Sequence, residues 1–187
     1  MFKIAVIGAG YVGLTTAVCL SSLGNEVRCS DIDSLKIDQL STGIPVIFER
    51  GLDDLLSSSL QSGRLKFSSD NKWAVKKADF VFLCLPTPQG INGEADLTYI
   101  EQAAEEIGSH LKPGSIVVNK STVPVGSTSI VESHLHKTDV SVVSNPEFLR
   151  EGSALSDFFN PDRLVIGSNS SEATQMMKKY MLRSLAR

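Results

Sequence analysis

Three glycines, Gly8, Gly10 and Gly13, stand in G-x-G-x-x-G spacing directly after an apolar run, Ile4–Ile7, and at the start of a helical stretch. An acid, Asp31, follows eighteen residues after Gly13, at the end of a second strand-like run, Glu26–Ser30. Each position has a physical task. The first glycine allows a tight turn out of a strand, the second lets backbone approach a pyrophosphate, and the third lets the helix pack closely on the sheet. The helix N-terminus, with Tyr11 and Val12 in its first turn, offers unpaired N–H groups and a positive dipole end to the phosphates. Asp31 is placed to accept hydrogen bonds from the adenosine ribose, and its charge repels a 2′-phosphate, so the pattern reads as an NAD site rather than an NADP site. Arg28 and Lys36 are nearby cations that weaken this exclusion slightly. Glycine-rich turns also serve merely to reverse a chain, but here strand, glycines, helix, second strand and acid follow in order at the right distances.

The elements that must hold this site alternate along the chain. Asp33 caps a helix to Leu40, the turn-rich segment Ser41–Gly51 is too long for a plain connection, and leucines at 52, 55, 56 and 60 predict a helix over Leu52–Gln61. Leu65–Ser68 reads as a strand and Asn71–Lys77 as a brief helix. Asp79–Leu85 reads as a buried strand ending in Pro86, Thr87 and Pro88. Gly90–Ala95 is a polar loop, after which Asp96 caps a helix to about His110. Strand Ser115–Asn119, loop Lys120–Gly126, helix Ser127–His136, strand Val140–Ser144 and loop Asn145–Gly152 complete the alternation. A helix at Ser153–Phe159, a short strand at Arg163–Ile166 and a basic, Met-rich helix at Ser171–Leu185 follow. Strand–helix alternation argues an α/β fold, a Rossmann-type doubly wound, mainly parallel sheet with helices on both faces. In such a sheet the strand-end loops converge on one edge, which brings Pro86, Thr87, Ser121, Thr122, Glu147 and Glu151 near a bound nicotinamide.

With 187 residues, 42% hydrophobic and 21% charged, the chain suits one ordinary globular domain. A net charge of −3 and dispersed cations give no electrostatic case for nucleic acid or an anionic membrane. The apolar N-terminus is broken by glycines at motif positions and closes without a small-residue cleavage pattern, so it reads as fold rather than as a secretion signal. Cys19, Cys29 and Cys84 are an odd number in apolar contexts, as expected of reduced core thiols in a cytoplasmic protein, and none has the paired spacing of a zinc site. No metal site is expected. His110, His134 and His136 fall on polar helix ends and receive no catalytic role.

Six segments carry a more specific likeness: IGAGYVGL at 7–14, LPTP at 85–88, GEADL at 93–97, KSTVPVG at 120–126, NPEFLREG at 145–152 and NPDRLVIG at 160–167. Together they resemble the nucleotide-sugar dehydrogenase family across nearly the whole chain, and the Asp162-Arg163 pair and the REG ending look more like its UDP-glucose branch than its UDP-N-acetylmannosamine branch. The resemblance implies oxidation of a sugar C6 alcohol to a carboxylate, UDP-glucose to UDP-glucuronate, with two NAD reduced in turn. By matching motif position, Thr122 would orient a water or the reacting hydroxyl and Glu147 would assist proton transfer. Glu151 would lie near the nicotinamide ribose, and Phe148, Leu149 and Arg150 would contact the nucleotide-sugar beside Glu147 and Glu151. On local sequence alone Glu147 reads as a helix-cap carboxylate, and Arg163 reads equally as a substrate-side residue or an ion-pair partner.

The same resemblance implies elements that are not in these 187 residues. The family's nucleophilic cysteine sits in a GGxCxPKD-like segment, and its lysine and asparagine helpers lie on a long central helix that also builds the homodimer. Glu49-Arg50-Gly51-Leu52 stands where the family usually reads Glu-Pro-Gly-Leu. The expectation is an NAD-binding domain over 1–187 that binds NAD but does not complete the reaction alone. Residues 168–187 would begin the connection to a central helix and a substrate domain, and the chain alone would be a monomer. A UDP-N-acetylmannosamine or GDP-mannose dehydrogenase, a β-hydroxyacid dehydrogenase, or a non-catalytic NAD-sensing module are the alternatives.

Overall fold

The computed structural model describes residues 1–90, 92–137 and 139–185. Six strands, β1 (Lys3–Ile7), β2 (Glu26–Ser30), β3 (Leu65–Ser68), β4 (Phe80–Leu83), β5 (Ile116–Asn119) and β6 (Ser141–Ser144), form one sheet in the order β3-β2-β1-β4-β5-β6. Every pairing is parallel. This is the doubly wound dinucleotide-binding order, in which the chain reverses direction between β1 and β4. Ile4–Ile7 of β1, all of β4 and Ile116–Val118 of β5 are apolar and buried, as the centre of a parallel sheet covered by helices requires.

Among the described residues eight helices cover the sheet: α1 (Tyr11–Ser22), α2 (Ser34–Ser41), α3 (Leu52–Gln61), α4 (Asn71–Val75), α5 (Thr98–Gly108), α6 (Ser127–Leu135), α7 (Ala154–Phe159) and α8 (Ser171–Leu185). The core divides by face. On one side Val6, Phe80, Phe82 and Val118 pack with Leu14 and Val18 of α1, Leu52 and Leu56 of α3, and Met177 and Tyr180 of α8. On the other, Ala5, Ile7, Val81, Leu83 and Val117 pack with Ile100 and Ile107 of α5 and Val131 and Leu135 of α6. Alternate residues of one strand thus serve opposite cores, the period-2 consequence of strand geometry.

Local chemistry sets the element ends. Asp33 caps α2 by accepting from the Lys36 N–H at 3.1 Å, as expected, and Asp70 caps α4 by accepting from the Lys72 and Trp73 N–H groups at 2.9 and 3.2 Å. The α4 helix stops at Val75 rather than Lys77 because Lys77 takes a left-handed conformation, φ 69°. Leu97, not Asp96, is the N-cap of α5, but Asp96 still holds that first turn, accepting from the Thr98 N–H at 2.9 Å.

Two expectations are corrected. Arg163–Ile166 is not a strand: pairing there shrinks to a single antiparallel bridge between Ser144 and Gly167, because Asn145 uses its side chain to bind the Val165 carbonyl at 2.8 Å. The β4 strand ends at Leu83, with Leu85 diverted by the Ser121 hydroxyl, which accepts the Leu85 N–H at 3.0 Å and donates to the Leu85 carbonyl at 2.7 Å. Helix α8 docks on the main core, where Tyr180 stacks on Phe80 at 4.7 Å between ring centroids and meets Phe2 edge-on at 5.3 Å.

Candidate functional site

The carboxyl ends of β1, β4 and β5 open into a cleft of about 810 Å³ lined by the glycine loop, Asp31, Lys36, Pro86, Thr87, Ser121, Thr122 and Glu147, among others. The glycines shape it in three ways. Gly8 has φ +97° and sits where a Cβ would be 2.3 Å from the Cys84 carbonyl oxygen, so the turn admits only glycine. A Cβ on Gly13 would lie 1.8 Å from the Gly8 carbonyl oxygen, so α1 packs directly on the loop that precedes it. At Gly10 a Cβ would meet nothing within 4 Å and would stand in the cleft mouth instead. No side chain caps α1. Its first-turn N–H groups therefore remain for an anion, and the cradle fits a dinucleotide pyrophosphate.

Asp31 ends β2 beside this loop. Its Oδ2 accepts from the Ala9 N–H at 2.8 Å and from Lys36 Nζ at 2.9 Å, and its Oδ1 accepts from the Asp33 N–H at 3.0 Å. The cation that was expected to weaken discrimination is therefore paired to the acid itself. Arg28 turns away, stacking 4.6 Å from the Trp73 ring and donating to the Trp73 carbonyl at 2.8 Å, so it contributes nothing at the ribose position. Burial by itself raises the Asp31 pKa, but the hydrogen bonds from Lys36, Asp33 and Ala9 and the Lys36 charge outweigh it and hold the carboxyl below its ordinary value. Stability from this carboxylate is complete above the ordinary value, about 4, and is lost as pH falls through the lowered folded value. Asp31→Asn is thus expected to lose less melting temperature than the parent protein on acidification from about pH 5 to about pH 3. An equally steep acid limb in the variant would refute that assignment.

The later strand-end loops are stapled together. Ser121, through its two bonds to Leu85, and Thr87, whose hydroxyl donates to the Thr122 carbonyl at 2.9 Å, tie the loops after β4 and β5. Thr122 itself is exposed and lines the cleft. A second cleft, of about 220 Å³, adjoins it, lined by Asn145–Arg150, Asp157, Phe158, residues 161–164, Met181 and Lys120. There Arg150 grips Asp157, with Nη2 to Oδ1 at 2.6 Å and Nε to Oδ2 at 3.1 Å. Arg163 lies over the Phe148 ring at 4.8 Å and is in this cleft, with no ion-pair partner among the described residues. Lys120 and Glu147 are the residues that line both clefts. One Glu147 oxygen accepts from the Leu149 N–H at 2.7 Å, a bond within the turn rather than the helix cap that the local sequence suggests.

The structure thus brings Gly8, Gly10, Tyr11, Val12, Asp31, Lys36, Pro86, Thr87, Ser121, Thr122 and Glu147 to one cleft, and Phe148, Leu149 and Arg150 to the adjoining one. Gly13 is buried under the loop and acts through packing. Glu151 sits on the exposed turn before α7 and lines neither cleft, although its charge reaches Tyr11.

Glu49 is the residue whose role the sequence reading missed. It is 4% exposed, and its carboxylate takes the Tyr11 hydroxyl at 2.5 Å, the Gly152 N–H at 2.9 Å and the Ala154 N–H at 2.9 Å. It therefore caps α7 from a loop more than 100 residues away and binds the first residue of α1. Burial, then the Glu49 hydrogen bond and charge, push the Tyr11 phenol above its ordinary value. Its signals in the sequence were the length of the Ser41–Gly51 loop and its place at the head of the Glu49-Arg50-Gly51-Leu52 segment.

All three cysteines are free and buried. Burial pushes the Cys84 thiol up to about 12 and the Cys19 and Cys29 thiols well above the ordinary range, so each is a neutral core thiol at physiological pH. Among the described residues no cluster of His, Cys, Asp and Glu could hold a metal, and no helix is long and apolar enough to cross a membrane.

Comparison with known proteins agrees with this geometry. Residues 2–182 match the model of the UDP-glucose/GDP-mannose dehydrogenase family, NAD binding domain. The chain is 46% identical over 184 residues to UDP-glucose 6-dehydrogenase TuaD of Bacillus subtilis, covering 96% of this chain and 40% of that protein. It is 50% identical over 175 residues to UDP-glucose 6-dehydrogenase of Rhizobium meliloti, covering 91% and 40%. The chain therefore spans about two fifths of the length of these relatives. Among solved structures, a ternary complex of GDP-mannose dehydrogenase from Pseudomonas aeruginosa superposes with a TM-score of 0.90 at 38% identity, over 98% of this chain and 44% of that one. A UDP-glucose dehydrogenase from Pyrobaculum islandicum gives 0.88 at 40% identity, over 98% and 44%. With its six-stranded parallel order, its glycine cradle and Asp31 all in place, the chain belongs to the UDP-glucose/GDP-mannose dehydrogenase family and comprises its NAD-binding domain.

Proposed function

We propose that this chain is the NAD-binding half of a UDP-glucose 6-dehydrogenase, which oxidises the C6 alcohol of UDP-glucose to the carboxylate of UDP-glucuronate. The observation that carries the reading is the shared wall of the two clefts at Lys120 and Glu147: a sugar in the smaller cleft would present its reacting carbon toward a nicotinamide in the larger. Bound NAD supplies the hydride acceptor. The protein's own groups divide the remaining work. The uncapped start of α1 holds the pyrophosphate, Asp31 the adenosine ribose, and Thr87 and Ser121 fix the loops around the nicotinamide. Thr122 orients the reacting hydroxyl or a water, and Glu147 takes the proton, since a general base must stand within hydrogen-bond reach of the proton it abstracts. Glu151 is assigned to the nicotinamide ribose by its motif position alone, and Phe148–Arg150 hold the nucleotide-sugar.

Residues 168–187 begin the connection to a central helix and a C-terminal substrate domain. None of the three neutral core thiols can capture an aldehyde as thiolate. The 187-residue chain is therefore expected to bind NADH without steady NADH production from UDP-glucose and NAD. At 100 times its dissociation constant NADH should add about 2.7 kcal/mol of stability, a rise in melting temperature of roughly 5–10 °C for a domain of this size. No shift would refute the cofactor half of the reading, and sustained turnover would refute the second half. A related reading is GDP-mannose as the sugar nucleotide, since a GDP-mannose dehydrogenase shares this fold at 38% identity. Titration of the NADH-loaded domain with UDP-glucose and with GDP-mannose separates them, because the proposal requires the uridine nucleotide to bind more tightly.

A further inference from the structure

The larger cleft continues past Asp31 along a wall that the pyrophosphate, ribose and nicotinamide leave without a task. Tyr99, Gln102, Ala103 and Glu106 of α5 line it at i, i+3, i+4 and i+7 spacing, so one face of that helix borders the cleft while Ile100, Ala104 and Ile107 enter the core. Ile32, directly after the ribose acid, lines the same cleft and is 83% exposed. Together Ile32 and Ala103 offer apolar surface to a flat ring, the usual character of a cofactor pocket.

A chain of hydrogen bonds fixes the polar edge of this wall. Ser30, the last residue of β2 and the neighbour of Asp31, donates its hydroxyl to Asn71 Oδ1 at 2.7 Å, and Asn71 Nδ2 donates to Glu106 Oε2 at 2.8 Å. Ser30 is fully buried and Asn71 is 6% exposed, whereas Glu106 stands exposed at the cleft. The chain has one direction: the serine occupies the amide oxygen of Asn71, so its amide nitrogen must face the carboxylate. Glu106 is thus aimed from the sheet although it sits on a helix surface. Among the described residues it has no ion-pair partner, and its Oε1 makes no hydrogen bond.

We propose that Glu106 reads the base of the dinucleotide: its free oxygen accepts a hydrogen bond from the 6-amino group of adenine, with Asn71 as the positioning residue that aims it. The inference rests on the NAD reading of the cleft and adds to it the one part of the cofactor that no residue above recognises. Asp31 holds the adenosine ribose and the base is bonded to that ribose, so the base lies on the adjoining wall. Adenine carries a donor at position 6, where hypoxanthine and guanine carry an acceptor oxygen. An ionised carboxylate only accepts, so it favours the amine and repels the oxygen.

Fluorescence titration of the 187-residue chain with NADH and with its hypoxanthine counterpart, deamino-NADH, tests the proposal. The two cofactors differ only in the base, so the ratio of their dissociation constants isolates base recognition from every other contact. The parent chain is expected to bind NADH about tenfold or more tightly than deamino-NADH, the effect of one hydrogen bond to a charged group. In Glu106→Gln the Asn71 amide still donates to the side-chain oxygen, which turns the new NH₂ group toward the base. Deamino-NADH should then gain affinity, and the preference should fall at least roughly fivefold or reverse. A smaller preference in the parent chain overturns the proposal, and so does a smaller fall in the variant, including an equal weakening of both cofactors, which marks a merely structural carboxylate. NADH binding without base preference overturns this inference alone, whereas no NADH binding by the parent chain overturns the proposed function with it.

Discussion

Gly13→Ala is expected to abolish NADH binding and to lower the melting temperature by roughly 6–12 °C. The added methyl would lie 1.8 Å from the Gly8 carbonyl oxygen and 2.9 Å from its carbon, contacts with backbone that no rotamer relieves. Helix α1 must move away from the glycine loop, and overpacking of this kind costs about 3 kcal/mol or more. In a domain of this size each kcal/mol is worth about 2–4 °C. Moving α1 also carries its first-turn N–H groups out of the cradle. Gly10→Ala separates the two effects. At Gly10 the backbone is extended, with φ −75°, and the methyl enters open space, so unliganded stability should change by less than about 1 kcal/mol. The methyl then occupies the position that pyrophosphate must approach, and NADH affinity should fall at least tenfold, about 1.4 kcal/mol. Calorimetric melting and NADH fluorescence titration of the two variants check both statements. Normal NADH binding by Gly10→Ala would mean that the dinucleotide does not cross this loop.

The second large effect is expected at Glu49. Glu49→Ala leaves the Gly152 and Ala154 N–H groups without their acceptor, the second of them buried, and leaves the Tyr11 hydroxyl only its 3.3 Å bond to the Arg150 carbonyl. Hydrogen bonds to a charged group contribute about 1.5–3 kcal/mol each and are not additive, so a loss of about 3–5 kcal/mol is expected. Tyr11→Phe removes only one of the three and should cost about 1.5–3 kcal/mol. The loss should be local before it is global. Hydrogen exchange at Gly152 and Ala154 should accelerate in Glu49→Ala far more than exchange in β1 or β4, since α7 and the loop before it lose their cap while the central strands keep theirs. Unchanged protection at those two amides would show that some other group caps α7.

The predictions differ in origin, and the difference marks how far one-dimensional information reaches. The glycine spacing, the acid after the second strand and the strand–helix alternation are local patterns. A turn, a helix start and a buried strand are each specified by a few consecutive residues, so these features were legible and the parallel sheet followed from their order. The convergence of the loops holding Thr87, Ser121, Thr122 and Glu147 was also legible, because a doubly wound sheet sends every strand's carboxyl end to the same edge.

What the chain order left open depended on contacts between distant segments. The 3-2-1-4-5-6 order, the docking of α8 through Tyr180 on Phe80, and the diversion of Arg163–Ile166 from a strand into loop arise from pairings that no local window contains. The site was altered in the same way. Lys36, in the sequence a cation near Asp31, is that acid's ion-pair partner in the cofactor cleft, and Arg28 stacks on Trp73 away from the site. Glu49 and Lys120 stand in the motif segments 49–52 and 120–126, whose residue types name no partner for either. A carboxylate caps a helix 105 residues on, and an ammonium becomes buried in the wall of two clefts, only when the sheet has assembled. Sequence by itself determined that this protein builds a dinucleotide cradle and which residues form it, because those interactions are made by near neighbours. Tertiary structure alone decided which charges are paired, which are buried, and that the two clefts meet at Lys120 and Glu147, because solvation and long-range contact are properties of the folded chain.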